Sequence, residues 1–177
     1  MWRDKAAILE PDERFANIVR GDPASGSFRF VTIQDMYDDM AEFDFPASVP
    51  EEIVRQFNLA RSAYIYSWFD YEMVTLAEEH VYTVIEMALR RRAKDENSGL
   101  SERATMKPAL DHARGRGWLK NDDFGYENTG QQVPVLDTLV FMRNDLMHGK
   151  THLYPNGSLT VMEMCFDIIV KLFPPTP

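Results

Sequence analysis

Residues 76–89 read Leu76-Ala77-Glu78-Glu79-His80-Val81-Tyr82-Thr83-Val84-Ile85-Glu86-Met87-Ala88-Leu89, and their pattern decides the fold. Leu76, Val81, Val84, Ile85 and Leu89 fall near helical spacing, which reads as an α-helix. The helical grammar reaches well beyond this window, because neither Gly nor Pro occurs between Glu51 and Ser98. One very long helix, or two joined ones, is therefore predicted. Upstream, Ser48 suits an N-cap, Pro50 suits a first turn, and Glu51 and Glu52 complement the positive end of a helix. Downstream, Asn97-Ser98-Gly99 supplies the stop, with Gly99 able to take the left-handed conformation after the last turn.

Working outward, a further helix is expected from near Thr105 to Gly115 or Gly117, with Pro108 tolerated in its first turn. Residues 121–132 hold two glycines, two asparagines and three acids and read as an exposed loop. Pro134 then opens an apolar helix that runs through Arg143 to His148 and closes at Gly149. Pro155-Asn156-Gly157 reads as a tight turn. Ser158 is expected to cap a last helix to about Phe173, where Pro174-Pro175 forbids continuation. Toward the N-terminus, residues 21–27 read as a loop, residues 28–33 as a strand-like run, and residues 34–43 as a short acidic helix. The expected fold is all-α: an antiparallel bundle of four to five helices over residues 48–177, with a less regular N-terminal extension over residues 1–47.

The totals agree with a folded domain. The chain has 177 residues, 45% hydrophobic and 27% charged, so it can bury a real core. Its single cysteine, Cys165, has no internal partner and sits in an apolar run, where a buried thiol is expected. No stretch approaches the roughly 18 apolar residues of a membrane span and the start lacks an apolar leader, so a cytoplasmic protein without a membrane partner is expected.

Charge is distributed unevenly. The formal net charge is −9, which by itself argues against a phosphate-rich partner. Residues 90–120, however, carry nine Lys and Arg against four acids. This band includes Arg90, Arg91 and Arg92. It suits either RNA phosphates or a plainly solvated helix end, where cations complement the negative pole.

One constellation carries chemistry. Arg143, Asn144 and His148 place a planar cation, an amide and a histidine at the end of an apolar helix. A helix advances about 100° per residue, so Asn144 stacks under His148, while Arg143 and His148 stand about 140° apart. The pair can meet only by Arg143 reaching, through distortion at Gly149, or through a second subunit. Such parts suit cleavage of a phosphodiester without metal or cofactor. A histidine takes the proton of a ribose 2′-hydroxyl, arginine neutralises charge growing on the phosphorus oxygens, and asparagine orients a partner. The same residues admit plainer roles, with His148 as a helix cap and Arg143 paired with nearby acids such as Asp137 or Asp145. Glu78, Glu79 and Glu86 on the long helix could line the cleft or steady Arg143, or form a solvated face.

At Arg143-Asn144-x-x-x-His148 the sequence resembles the HEPN superfamily, whose ribonuclease members carry an Arg, a following polar residue and a His four to six residues after the Arg. The resemblance extends over roughly residues 48–173, including the upstream long helix and the helix after His148-Gly149. It implies an all-α homodimer with facing Arg and His pairs. The implied activity is a metal-independent endoribonuclease of toxin–antitoxin, abortive-infection or RNA-processing systems, leaving a 2′,3′-cyclic phosphate and a 5′-hydroxyl. The catalytic residues it implies are Arg143, Asn144 and His148; Arg90, Arg91, Arg92 and Lys150 are the candidate RNA contacts on grounds of charge. Where related toxins carry a Tyr that a nucleotidyltransferase antitoxin modifies, this chain has Lys150, with Tyr154 nearby. Other members of the superfamily are non-catalytic, so a nucleotide- or protein-binding module of the same shape is the alternative.

Overall fold

The structure, a computed structural model, describes residues 4–22, 25–128, 130–149 and 155–175. It is mostly helical, 61% of it helix. In chain order come β1 (Val19–Asp22), β2 (Ser27–Phe30), α1 (Ile33–Ala41), α2 (Glu51–Tyr66), α3 (Met73–Asp95), α4 (Met106–Gly115), β3 (Glu127–Asn128), β4 (Gln131–Gln132), α5 (Val135–Met147) and α6 (Pro155–Leu172). The two strand pairs are separate antiparallel hairpins. No helix among the described residues is long and apolar enough to cross a membrane.

Helix α3 is the centre of the packing, touching α2, α4, α5 and α6. Its buried residues, Val74, Ala77, Val81, Val84, Ile85 and Leu89 among them, share one broad face of the helix. A buried face that wide needs more than one neighbour to cover it. Val161, Met162, Cys165, Ile168 and Ile169 of α6 supply one wall. Cys165 is fully buried as expected, and burial pushes its thiol pKa well above the usual value.

The glycine-free stretch is two joined helices, broken at residues 67–72. The cause lies far away in sequence. The Asp12 backbone N–H donates to the carbonyl of Trp68 at 2.8 Å, and the Asp12 carboxylate accepts the Tyr71 N–H at 3.1 Å. Phe15 packs its ring against Trp68 and Tyr71, with centroids 5.1 and 5.5 Å away. A distant segment thus satisfies backbone groups that a continuous helix would have bonded internally.

Three expected helix signals resolve differently. Ser48 does not cap α2; its hydroxyl donates to the carbonyl of Phe173 at the end of α6, 2.7 Å away. Pro155-Asn156-Gly157 is not a separate turn but the first turn of α6, as the preset φ of proline permits. Ser158 lies inside that helix, where its buried hydroxyl donates to Glu78 of α3. At the end of α3 Asn97, at φ +49°, takes the left-handed position directly after the cap, and Gly99 is left-handed too, at φ +84°. There the Ser98 N–H reaches the Ala93 carbonyl at 2.9 Å, closing the last turn. Gly117 does the same for α4, with the Trp118 N–H on the Ala113 carbonyl at 3.0 Å.

The N-terminal 47 residues contribute Phe15, Met36, Met40 and Phe43 to the same core as α3 and α6. Strand β1, unmarked in the sequence reading, pairs Val19 with Phe30 and Gly21 with Phe28. On this hairpin the faces are inverted. Arg20 reaches Asp39 at 2.7 Å and Arg29 forms a two-pronged pair with Asp35, both on α1. Val19, Phe28 and Phe30, on the opposite face, stand exposed. Asp35 also accepts from Thr32, completing a capping box at the start of α1. The arginine and these hydrogen bonds hold its carboxyl well below the usual range.

Candidate functional site

Helix α5 carries the three expected catalytic residues, and its inward face is set by Leu139 and Leu146, both buried. Arg143 lies within about 40° of that face by helical geometry, which points it toward α3. Its Nη2 stands 3.5 Å from Oε1 of Glu86, with 29% of the Arg143 side chain exposed. Asn144 is exposed, and its backbone carbonyl accepts the His148 N–H at 3.0 Å. His148 is itself the C-cap, at φ −90° and ψ 11°, and Gly149 follows at φ +79°. The His148 side chain is exposed and has no hydrogen-bond partner among the described residues.

By helical geometry Arg143 and His148 leave α5 on different sides. The helix stays regular to Met147, so the 140° offset read from the spacing persists. Arg143 faces the groove between α5 and α3, and His148 faces outward at the helix end.

Glu86 organises the inner half of this corner. Its Oε1 accepts the backbone N–H of Met106, the first residue of α4, at 3.0 Å, and its Oε2 lies 3.4 Å from Nη1 of Arg90. Arg90 in turn donates to the carbonyl of Ala104 at 2.7 Å. One carboxylate, 14% exposed, thus gathers two arginines and the opening of a helix. The i,i+4 spacing of Glu86 and Arg90 was the sequence signal for part of this.

The remaining basic residues are mostly engaged. Arg91 pairs with Asp95 at 2.9 Å and with Glu52, and Arg92 pairs with Glu96 at 2.5 Å while lying 5.8 Å over the Trp118 ring. Arg114 reaches Asp137 at 2.7 Å, so Asp137 pairs across helices with that arginine. Lys150, His152 and Tyr154 lie outside the described residues. Of the basic band, only Arg90 is brought beside Arg143 among the described residues. No three His, Cys, Asp or Glu side chains among them converge as a metal would require.

Met147, next to His148 in the chain, belongs to an apolar groove. Leu59, Ala63 and Tyr66 of α2, Leu76 and His80 of α3, and Met147 of α5 line an open groove of about 640 Å³. Leu59, Tyr66, Leu76 and Met147 are each about half exposed or more. Four large apolar side chains gathered in one groove form a patch of the kind that marks interaction sites. Leu76 fits helical spacing in the sequence, but spacing does not say which side of a helix lacks a neighbour.

Compared with known proteins, the chain matches no family model, no curated protein and no solved structure.

Proposed function

We propose that this chain is a metal-independent endoribonuclease of HEPN type, built on an antiparallel bundle formed by α2 to α6 and active as a homodimer in the cytoplasm. The observation that carries this reading is the exposed His148 at the tip of the helix whose inner face bears Arg143, next to an apolar groove that includes Met147. A second copy seated on that groove brings two such tips together, which answers the separation of Arg143 and His148 within one chain.

In the proposed reaction His148 of one copy takes the proton from a ribose 2′-hydroxyl. The 2′-oxygen attacks the adjoining phosphorus, and the bond to the 5′-oxygen breaks. A protonated His148 of the partner subunit supplies the proton to the leaving 5′-oxygen. Arg143 stabilises charge on the non-bridging oxygens, and Asn144 orients the phosphate or the histidine. Glu86 holds Arg143 by a single long contact, leaving guanidinium donors for phosphate. Arg90, Arg91, Arg92 and Lys150 would contact the flanking RNA, and a toxin role would add an antitoxin protein of nucleotidyltransferase type.

The engagement of Arg143 with Glu86 also favours a second reading, a non-catalytic module of the same shape that binds a nucleotide or a protein. Mixed cellular RNA incubated with the purified chain in EDTA separates the two. Cleavage to 2′,3′-cyclic phosphate ends, lost in His148→Ala and in Arg143→Ala with circular dichroism unchanged, is the expected result. Absence of cleavage on every RNA tried overturns the nuclease reading.

A further inference from the structure

Phe141 projects from α5 into solvent with 64% of its surface exposed, the second most exposed aromatic side chain among the described residues after Phe28. Seven residues separate it from His148, so helical geometry sets the two about 20° apart around the axis and about 10 Å apart along it. Asn144 lies between them on the same side. The exposed stripe of α5 thus reads aromatic ring, amide, histidine, in a line leading to the proposed chemistry.

The surroundings of the ring say what it suits. On a helix surface its neighbours are the residues three and four away, here Asp137, Thr138, Asn144 and Asp145, and all four are polar. Phe141 does not belong to the groove containing Met147. A protein interface buries an apolar centre, and a lone ring among polar groups does not provide one. A flat ring beside hydrogen-bonding groups is instead the form of a base-stacking platform in single-strand binding. Of the two acids among these neighbours, Asp137 is neutralised by Arg114.

We propose that Phe141 is a nucleobase subsite, stacking an unpaired base of single-stranded RNA adjoining the linkage held at His148. This rests on the ribonucleic-acid reading of the α5 corner and adds a specificity-determining contact to it.

The test uses the full chain, a fluorescein-labelled single-stranded oligoadenylate, and the same oligomer with abasic positions. Fluorescence anisotropy gives affinity, sedimentation gives oligomeric state, and cleavage of the normal oligomer in EDTA gives activity. Phe141→Ala and Phe141→Leu are expected to weaken binding of the normal oligomer by about 5- to 150-fold. Phe141→Tyr should bind as the wild type does, and none of the three should change binding of the abasic oligomer. Leucine keeps apolar area but has no π-face, so retained affinity in Phe141→Leu overturns the proposal. A dimer weakened by Phe141→Ala and preserved by Phe141→Leu overturns it too, assigning the ring to a protein interface. Wild-type cleavage with unaltered binding in every variant sinks the subsite and spares the nuclease reading. Base-dependent binding without cleavage sinks the nuclease reading and keeps the subsite. A wild type that binds neither oligomer ends both.

Discussion

The guanidinium of Arg143 lies 3.5 Å from the Glu86 carboxylate, on the same oxygen that accepts the first backbone N–H of α4 from Met106. The residue proposed to meet phosphate is thereby tied to the start of a neighbouring helix. Glu86→Ala removes the acceptor for Met106, Arg90 and Arg143 together and leaves two partly buried cations without it. A loss of about 1–3 kcal/mol is expected, read as a lower urea midpoint with an unchanged slope. Glu86→Gln keeps an acceptor oxygen and should recover much of it. Equal stability of Glu86→Ala and wild type would show that the junction contributes nothing.

The buried pair of Glu78 and Ser158 makes a pH prediction. Burial pushes the Glu78 carboxyl above its usual 4.5, with the Ser158 hydroxyl opposing in part. For an acid raised in the folded state, the protonated form favours folding. That contribution is complete below the usual value and is lost as pH rises through the folded value. Glu78→Gln, which keeps an acceptor for Ser158 and cannot ionise, should gain on wild type in thermal melts as pH goes from about 5 to about 8. A difference that stays flat over that range would contradict the assignment.

Leu76 is 54% exposed in the groove beside Met147. If a second copy seats there, Leu76→Glu buries an unpaired charge at the interface. The variant should sediment as a monomer and lose RNA cleavage while retaining its helical signal. A Leu76→Glu dimer with full activity would remove this groove from the assembly.

The acidic N-terminal stretch suggests, on charge alone, a shield whose removal frees the site. Burial says otherwise, because Phe15 and Met40 are each 1% exposed and sit in the common core. A chain starting at Ser48 should aggregate or melt far lower than the full chain. Phe15→Ala alone should cost about 3–5 kcal/mol in urea denaturation. A stable, more active truncated chain would restore the shield idea.

Much of the helical layout was legible because its signals are local. Thr105 stands immediately before α4, Pro134 immediately before α5, and Gly149 takes the positive φ that ends the motif helix. What failed depended on distant partners. Ser48 and Ser158 have the chemistry of caps, yet each hydroxyl is taken by another helix. The break after Tyr66 has no glycine or proline to announce it, and the Asp12 that bonds its backbone lies some sixty residues away. Strand β1 escaped notice because Arg20, Gly21 and Asp22 carry no strand propensity, and ion pairs to α1 hold it in place. For the candidate site, spacing gave the angular offset between Arg143 and His148. The part of Glu86 was only one option among several acids, because which acid faces α5 is decided by how α3 and α5 cross.

The inverted hairpin turns ionic strength into a dial. Arg20 and Arg29 grip α1 through partly exposed ion pairs, while Val19, Phe28 and Phe30 face water. Added salt screens the grip and, for strongly hydrated anions such as sulfate, strengthens the attraction between bare rings. In such solutions the N-terminal face should be the first part of the molecule to loosen and the first to clump.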